Sequence, residues 1–156
     1  MEPQTIFVYV VSLVFIILAL LIPKKIKRYE MYATSLFSVV VGLVVDTMLA
    51  VKYEFYVLDK PGVQIPPIIG QVILYYIGSL LILNFYPYQK SKMWKAGYIL
   101  FCSLLAVGFE FICYIFNFIN YNQWKIWYSA LCYPFIISFF VLHFKFFRWL
   151  VKESKE

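Results

Sequence analysis

The sequence predicts an all-α fold, a polytopic membrane bundle of five transmembrane helices, and three observations carry that reading. Of the 156 residues, 63% are hydrophobic, 22% aromatic and only 14% charged, far from the balance of a water-soluble domain. The charges gather in short clusters, separated by apolar runs long enough to cross a bilayer. Lysine and arginine are divided unevenly between alternate ends of those runs. The lipid bilayer is therefore the expected solvent and the first partner.

The first run covers 5–22 and stops at Pro23, Lys24 and Lys25. A secretory signal would carry basic residues before its apolar core and a small-residue cleavage motif after it. Here Met1-Glu2-Pro3-Gln4 precedes the run and Pro23-Lys24 ends it, so it is expected to stay as a helix. The second run covers 31–51. A polar loop with Lys52, Glu54, Asp59 and Lys60 follows, and its Pro61-Gly62 pair reads as a turn. The third run is 66–85 and the fourth 96–119. Asn120 to Gln123 makes a tight connection to the fifth, 126–147. The five runs form a single transmembrane domain over 1–156.

The net charge of +6 would point to nucleic acid if the basic residues formed one face of a folded domain. They flank the apolar runs instead, so no nucleic-acid partner is expected. Counted along alternating ends, eleven Lys and Arg fall on one side and three on the other. The positive-inside rule then places the 24–28 loop, the 90–95 loop and the C-terminal tail in the cytoplasm, with the N-terminus outside. Tyr53, Tyr56, Tyr86, Tyr88, Trp94, Tyr121, Trp124, Trp127 and Trp149 lie near the span ends, as an aromatic belt does.

Cys102, Cys113 and Cys132 all lie inside apolar runs and read as small buried hydrophobes, and His143 is the one histidine. That leaves little from which to build a metal or haem site, and no metal or cofactor is expected. The glycine loops and paired motifs of membrane proteases and phosphotransfer enzymes are missing. Pro134 is expected to kink the fifth helix beside Ser129, Cys132 and Tyr133.

The sequence becomes specific at two acids inside spans, Asp46 and Glu110. A carboxylate in hydrocarbon costs roughly 2.5–3.5 kcal/mol near the bilayer centre and is usually turned toward protein or a wet cavity. Ser35, Ser38, Gly42 and Asp46 recur at helical spacing on one face of the second helix. Gln71, Tyr75, Gly78 and Ser79 do so on the third, and Ser103, Ala106, Glu110, Tyr114, Asn117 and Tyr121 on the fourth. The expected intramembrane polar cluster is Asp46, Glu110, Gln71, Tyr75, Ser38, Tyr114 and Asn117. A weak repeat aligns Leu36-Phe37-Ser38 through Asp46 with Leu100-Phe101-Cys102 through Glu110. It would make helices two and three a parallel copy of four and five, as in some transporters; chance likeness of two apolar helices is the competing reading.

Several further residues carry a resemblance: Pro23, Arg28-Tyr29, Asp46, Tyr53, Tyr56, Pro87, Trp124 and Tyr128-Ser129. With these the chain resembles a family of small five-helix membrane proteins of spore-forming Bacillota, a family of unknown function named after a clostridial locus. The resemblance implies a bacterial plasma membrane and brings no biochemical activity.

Two functional classes remain open on the sequence. The leading one is a non-enzymatic membrane protein, either a subunit of a larger complex or homo-oligomer, or a transporter-like module, with the Asp/Glu cluster at its core. The alternative is a membrane-embedded enzyme acting on a lipid or isoprenoid, with Asp46 and Glu110 as acid and base. For the two acids themselves, hydrogen-bonding glue between helices is the structural counterpart of either role.

Overall fold

A computed structural model describes residues 2–154. Five long helices, α1 (Pro3–Leu21), α2 (Arg28–Asp46), α3 (Ile65–Phe85), α4 (Lys92–Ile115) and α5 (Ile126–Glu153), are joined by short loops that hold two three-residue strands, β1 (Tyr56–Leu58) and β2 (Ile119–Tyr121). All five are long and apolar enough to cross a membrane. The nineteen residues of α1 span about 28 Å, close to the thickness of a hydrocarbon core.

Local chemistry sets the helix ends. Pro3 opens α1 and Pro66 lies in the first turn of α3, where a missing N–H costs nothing. Pro23 and Pro87 force Ile22 and Tyr86 into extended conformations and close α1 and α3. At the start of α2 the Glu30 carboxylate accepts the Lys27 N–H at 2.9 Å, so the helix begins at Arg28, before the apolar run. Beyond Asp46, α2 widens into a π-helical turn, Thr47–Lys52.

Several boundaries differ from the sequence expectation: α2 and α4 start three and four residues earlier, at Arg28 and Lys92, and the ends of the fourth and fifth helices move as well. The fourth helix stops at Ile115, where the chain turns through Asn117 in the left-handed region (φ 55°) and enters β2, so the apolar 116–119 stretch is not helical. The fifth runs on to Glu153, because charged residues past the apolar run still suit a helix. Pro134 sits inside that helix without dividing it.

α3 is the central helix and packs against α1, α2 and α5, while α4 leans chiefly on α5. Apolar side chains cover the outside of the bundle, and polar ones share its interior with an apolar core. Phe135, Leu20 and Leu104 are 70% or more exposed, whereas Ser35, Ser38, Thr34, Asn84 and Ser103 are buried. Outward apolar and inward polar surfaces suit a lipid solvent.

The two ends of the bundle are tied differently. At one end β1 and β2 pair antiparallel, with Tyr56 opposite Tyr121, Val57 opposite Asn120 and Leu58 opposite Ile119. The Phe55 carbonyl accepts the N–H groups of Asn122, Gln123 and Trp124, each at 3.0 Å, and Lys60 pairs with Glu2 at 2.5 Å. At the other end Asn84 bridges to the Pro23 carbonyl and the Lys25 N–H. There Arg148 grips buried Glu30 through two contacts of 2.8 and 3.1 Å, its guanidinium lying over Phe144 and Tyr88. A core of Ile26, Leu83, Tyr86, Val141 and Phe144 fills this second end.

Candidate functional site

Asp46 is the last α-helical residue of α2, where the π-helical turn begins. Such local widening is frequent at functional sites. Three side chains point at its carboxylate: Tyr56 from β1 donates to Oδ1 at 2.5 Å, and Gln71 Nε2 (2.5 Å) and the Tyr75 hydroxyl, both from α3, donate to Oδ2. Gln71 and Tyr75 are four residues apart and so share one face of α3.

Glu110, buried on α4, is held on a similar plan. Tyr121 from β2 donates to Oε1 at 2.6 Å, Ser129 to the same oxygen at 2.7 Å and Tyr133 to Oε2 at 2.5 Å. Ser129 and Tyr133 are again four apart, on α5. The Ser129 hydroxyl also accepts the Trp124 indole N–H at 2.8 Å, so its own proton is free for Glu110. Each carboxylate therefore meets one phenol from a strand, plus a polar group and a second phenol from the following helix.

All six donors are neutral. Among the described residues the ion pairs are Glu2–Lys60 and Glu30–Arg148, and neither carboxylate of the two clusters belongs to one. Hydrogen bonds to a charged acceptor contribute about 1.5–3 kcal/mol each. They satisfy an anion without neutralising it.

Packing brings Tyr75 to Asp46. Its ring lies directly on Gly42, one turn before Asp46, where an added Cβ would come within 2.5 Å of the ring carbons. Any larger residue there would displace the ring. Buried Ser38, a turn further back, donates to the Tyr75 backbone carbonyl at 3.1 Å and holds α3 at this height without touching the carboxylate.

Of the seven side chains singled out from the sequence, Asp46, Gln71 and Tyr75 come together, with Ser38 beside them. Glu110 has its own partners, and Gln71 and Tyr75 do not bridge to it. Tyr114 and Asn117 stand apart from both carboxylates. Tyr114 is exposed and stacks on Tyr121 at 5.2 Å, and Asn117 is an exposed turn residue. The residues that complete the two clusters are Tyr56, Tyr121, Ser129, Tyr133 and Trp124. For Ser129 and Tyr133 the signal in the sequence is a polar residue followed four positions later by tyrosine, the spacing that Gln71 and Tyr75 have on α3.

The two clusters adjoin at the strands. Tyr56 and Tyr121 are cross-strand partners, and the Tyr56 ring meets the Trp124 indole edge-on at 6.1 Å. A continuous run of contacts thus leads from Asp46 through Tyr56, Trp124 and Ser129 to Glu110. Burial, reinforced by the adjoining carboxylate, raises the phenols of Tyr56 and Tyr121 above their ordinary value, so both remain donors.

No group of three or more His, Cys, Asp and Glu able to hold a metal occurs among the described residues. Comparison with family models, curated proteins and solved structures returned no match. The class that fold and site define is a five-helix membrane-type bundle with two tyrosine-held carboxylates at one end.

Proposed function

We propose that this chain is a multi-pass protein of a bacterial plasma membrane, N-terminus outside and C-terminus cytoplasmic, working as a non-enzymatic, transporter-like module. Its working centre is the Asp46 and Glu110 pair near the outer face, where each carboxylate takes up and releases a proton or another small cation. The eleven-to-three division of Lys and Arg supports the orientation. The matching plan of the two clusters supports a parallel repeat of α2–α3 and α4–α5.

One observation carries the reading: two carboxylates sit toward the end of spanning helices among six neutral donors, with no basic side chain among the described residues paired to either. In a low-dielectric setting an unpaired carboxylate gains most from an arriving positive charge. A lipid-modifying enzyme is less well supported. The cavity beside Gln71, between α1, α3 and α4, holds about 40 Å³, while pockets for small ligands run to roughly 300–1,000 Å³.

Infrared difference spectroscopy of the full chain in vesicles, titrated between acid and neutral pH, tests this directly. The carbonyl band of a protonated carboxyl should appear on acidification and shrink in both Asp46→Asn and Glu110→Gln. If the difference spectrum is the same in parent and variants, the acids exchange no proton. If potassium and sodium also leave the carboxylate bands unmoved, they are structural clamps and the proposal fails.

A further inference from the structure

At the end of the bundle opposite the two carboxylates, an open groove of about 790 Å³ lies between the turn after α3 and the first turns of α4. Pro87 and Lys90 line it from the turn, and Met93, Trp94, Gly97, Tyr98 and Phe101 line it from α4. Tyr98 is a fixed wall, because its hydroxyl donates to the Ile82 carbonyl at 2.9 Å and its ring meets Tyr86 edge-on. Gly97 leaves the groove open, with nothing within 4 Å of where a Cβ would stand. Met93 and Trp94 are 83% and 69% exposed, so the apolar side of the groove is open to an acyl chain.

The groove combines two chemistries. Its lining is almost wholly apolar along the helix, and Lys90 supplies a positive charge at the end nearest the polar loop, with Lys92 and Lys95 in the adjoining turn and no acid in the first turn of α4. A soluble anion would gain nothing from Met93 and Phe101. A neutral lipid would gain nothing from Lys90. An amphiphile with an anionic headgroup uses both, and a basic pocket at the membrane surface is the known way to hold one.

We propose that this groove binds one anionic phospholipid of the leaflet that meets the lysine-rich end, with its headgroup phosphate at Lys90 and an acyl chain along Met93, Gly97 and Phe101. The proposal rests on the membrane reading but makes no use of Asp46 or Glu110. Failure here leaves the carboxylate reading standing, and the converse also holds.

The test is native mass spectrometry of the full chain released from micelles containing equal amounts of phosphatidylglycerol and phosphatidylcholine. The parent should retain phosphatidylglycerol in several-fold excess. Lys90→Gln should erase most of that excess, and Gly97→Phe, which fills the groove, should lose one retained lipid. Gly97→Ala places a single methyl in open space and should behave as the parent, showing that the loss comes from occlusion. If Lys90→Gln and Gly97→Phe retain both lipids as the parent does, the bound lipid belongs to the general annulus and the proposal is overturned. Lys90 is exposed and its side chain holds no structural contact among the described residues, so Lys90→Gln should fold as the parent does and decides the question even where Gly97→Phe folds poorly.

Discussion

Tyr56 and Tyr121 face each other across the two-stranded ladder, and the phenol of each donates a hydrogen bond to the carboxylate of the helix just before it. The strand pair is thus the junction of the two acid clusters. Tyr56→Phe and Tyr121→Phe should each lower stability by about 1–2 kcal/mol, between the values for interhelical hydrogen bonds in membranes and for bonds to charged acceptors. Contacting residues couple, so a double-mutant cycle should return an interaction energy above about 0.5 kcal/mol. Unfolding in mixed micelles measures this, and strict additivity would show that the clusters are independent.

Gly42 is the residue that lets Tyr75 reach Asp46. Gly42→Ala should therefore destabilise the bundle by about 1–3 kcal/mol, the usual cost of overpacking. Gly78→Ala and Gly108→Ala, where a Cβ meets nothing, should be neutral or slightly stabilising through helix propensity. Equal effects at all three positions would contradict the packing of Tyr75.

At Asp46 three donors converge on two oxygens. Asp46→Asn keeps one oxygen as acceptor, and a phenol can rotate to accept from the new amide, so the loss should be about 1 kcal/mol. Asp46→Leu strands all three donors and should cost at least twice as much. Thermal unfolding of the two variants compares them, and the reverse order would mean that the donors are satisfied elsewhere.

The pH response follows from the phenols of Tyr56 and Tyr121, raised in the folded state by burial first and then by the neighbouring carboxylates. In the unfolded chain they ionise near pH 10. A folded value above the unfolded one gives a contribution that is full below about pH 10 and is lost as the pH rises beyond it. The unfolding midpoint should be flat from neutral pH to about 9 and fall above 10. The fall should be shallower in the double Tyr→Phe variant, and an unchanged slope there would rule these phenols out as its source.

Orientation is read from labelling in intact cells, in a background without Cys102, Cys113 and Cys132. A cysteine placed in the 54–62 loop should react with an impermeant thiol reagent, and one in the 24–28 loop should not. Labelling at 24–28 from outside would reverse the proposed topology.

The spans were legible in the sequence because hydropathy sums over some twenty residues, and Asp46 and Glu110 stood out against apolar neighbours. The grouping of Asp46 with Gln71 and Tyr75 was legible too, since it needs only helical spacing on α2 and α3. Asn117 was placed beside Glu110 by extending that spacing, but α4 ends at Ile115 and Asn117 turns left-handed, which takes it off the shared face, while Tyr114 stays within α4 and stacks on Tyr121 instead of bonding Glu110. Tyr56 and Tyr121 looked like belt residues because an interfacial tyrosine and a buried donor have the same composition around them. Three-residue strands leave no hydropathy signal, so the pairing that brings these tyrosines inward was invisible.

Glu30 is made early and paired late. Its partner Arg148 lies 118 residues further along the chain, and a ribosome adding roughly 5–20 residues per second needs on the order of ten seconds to reach it. During that interval the carboxylate has the Lys27 N–H but not yet the guanidinium to hold it. The arrival of the last helix closes the bundle on a charge that has been waiting, so a chain stalled or cut before Arg148 carries an unpaired acid at its base.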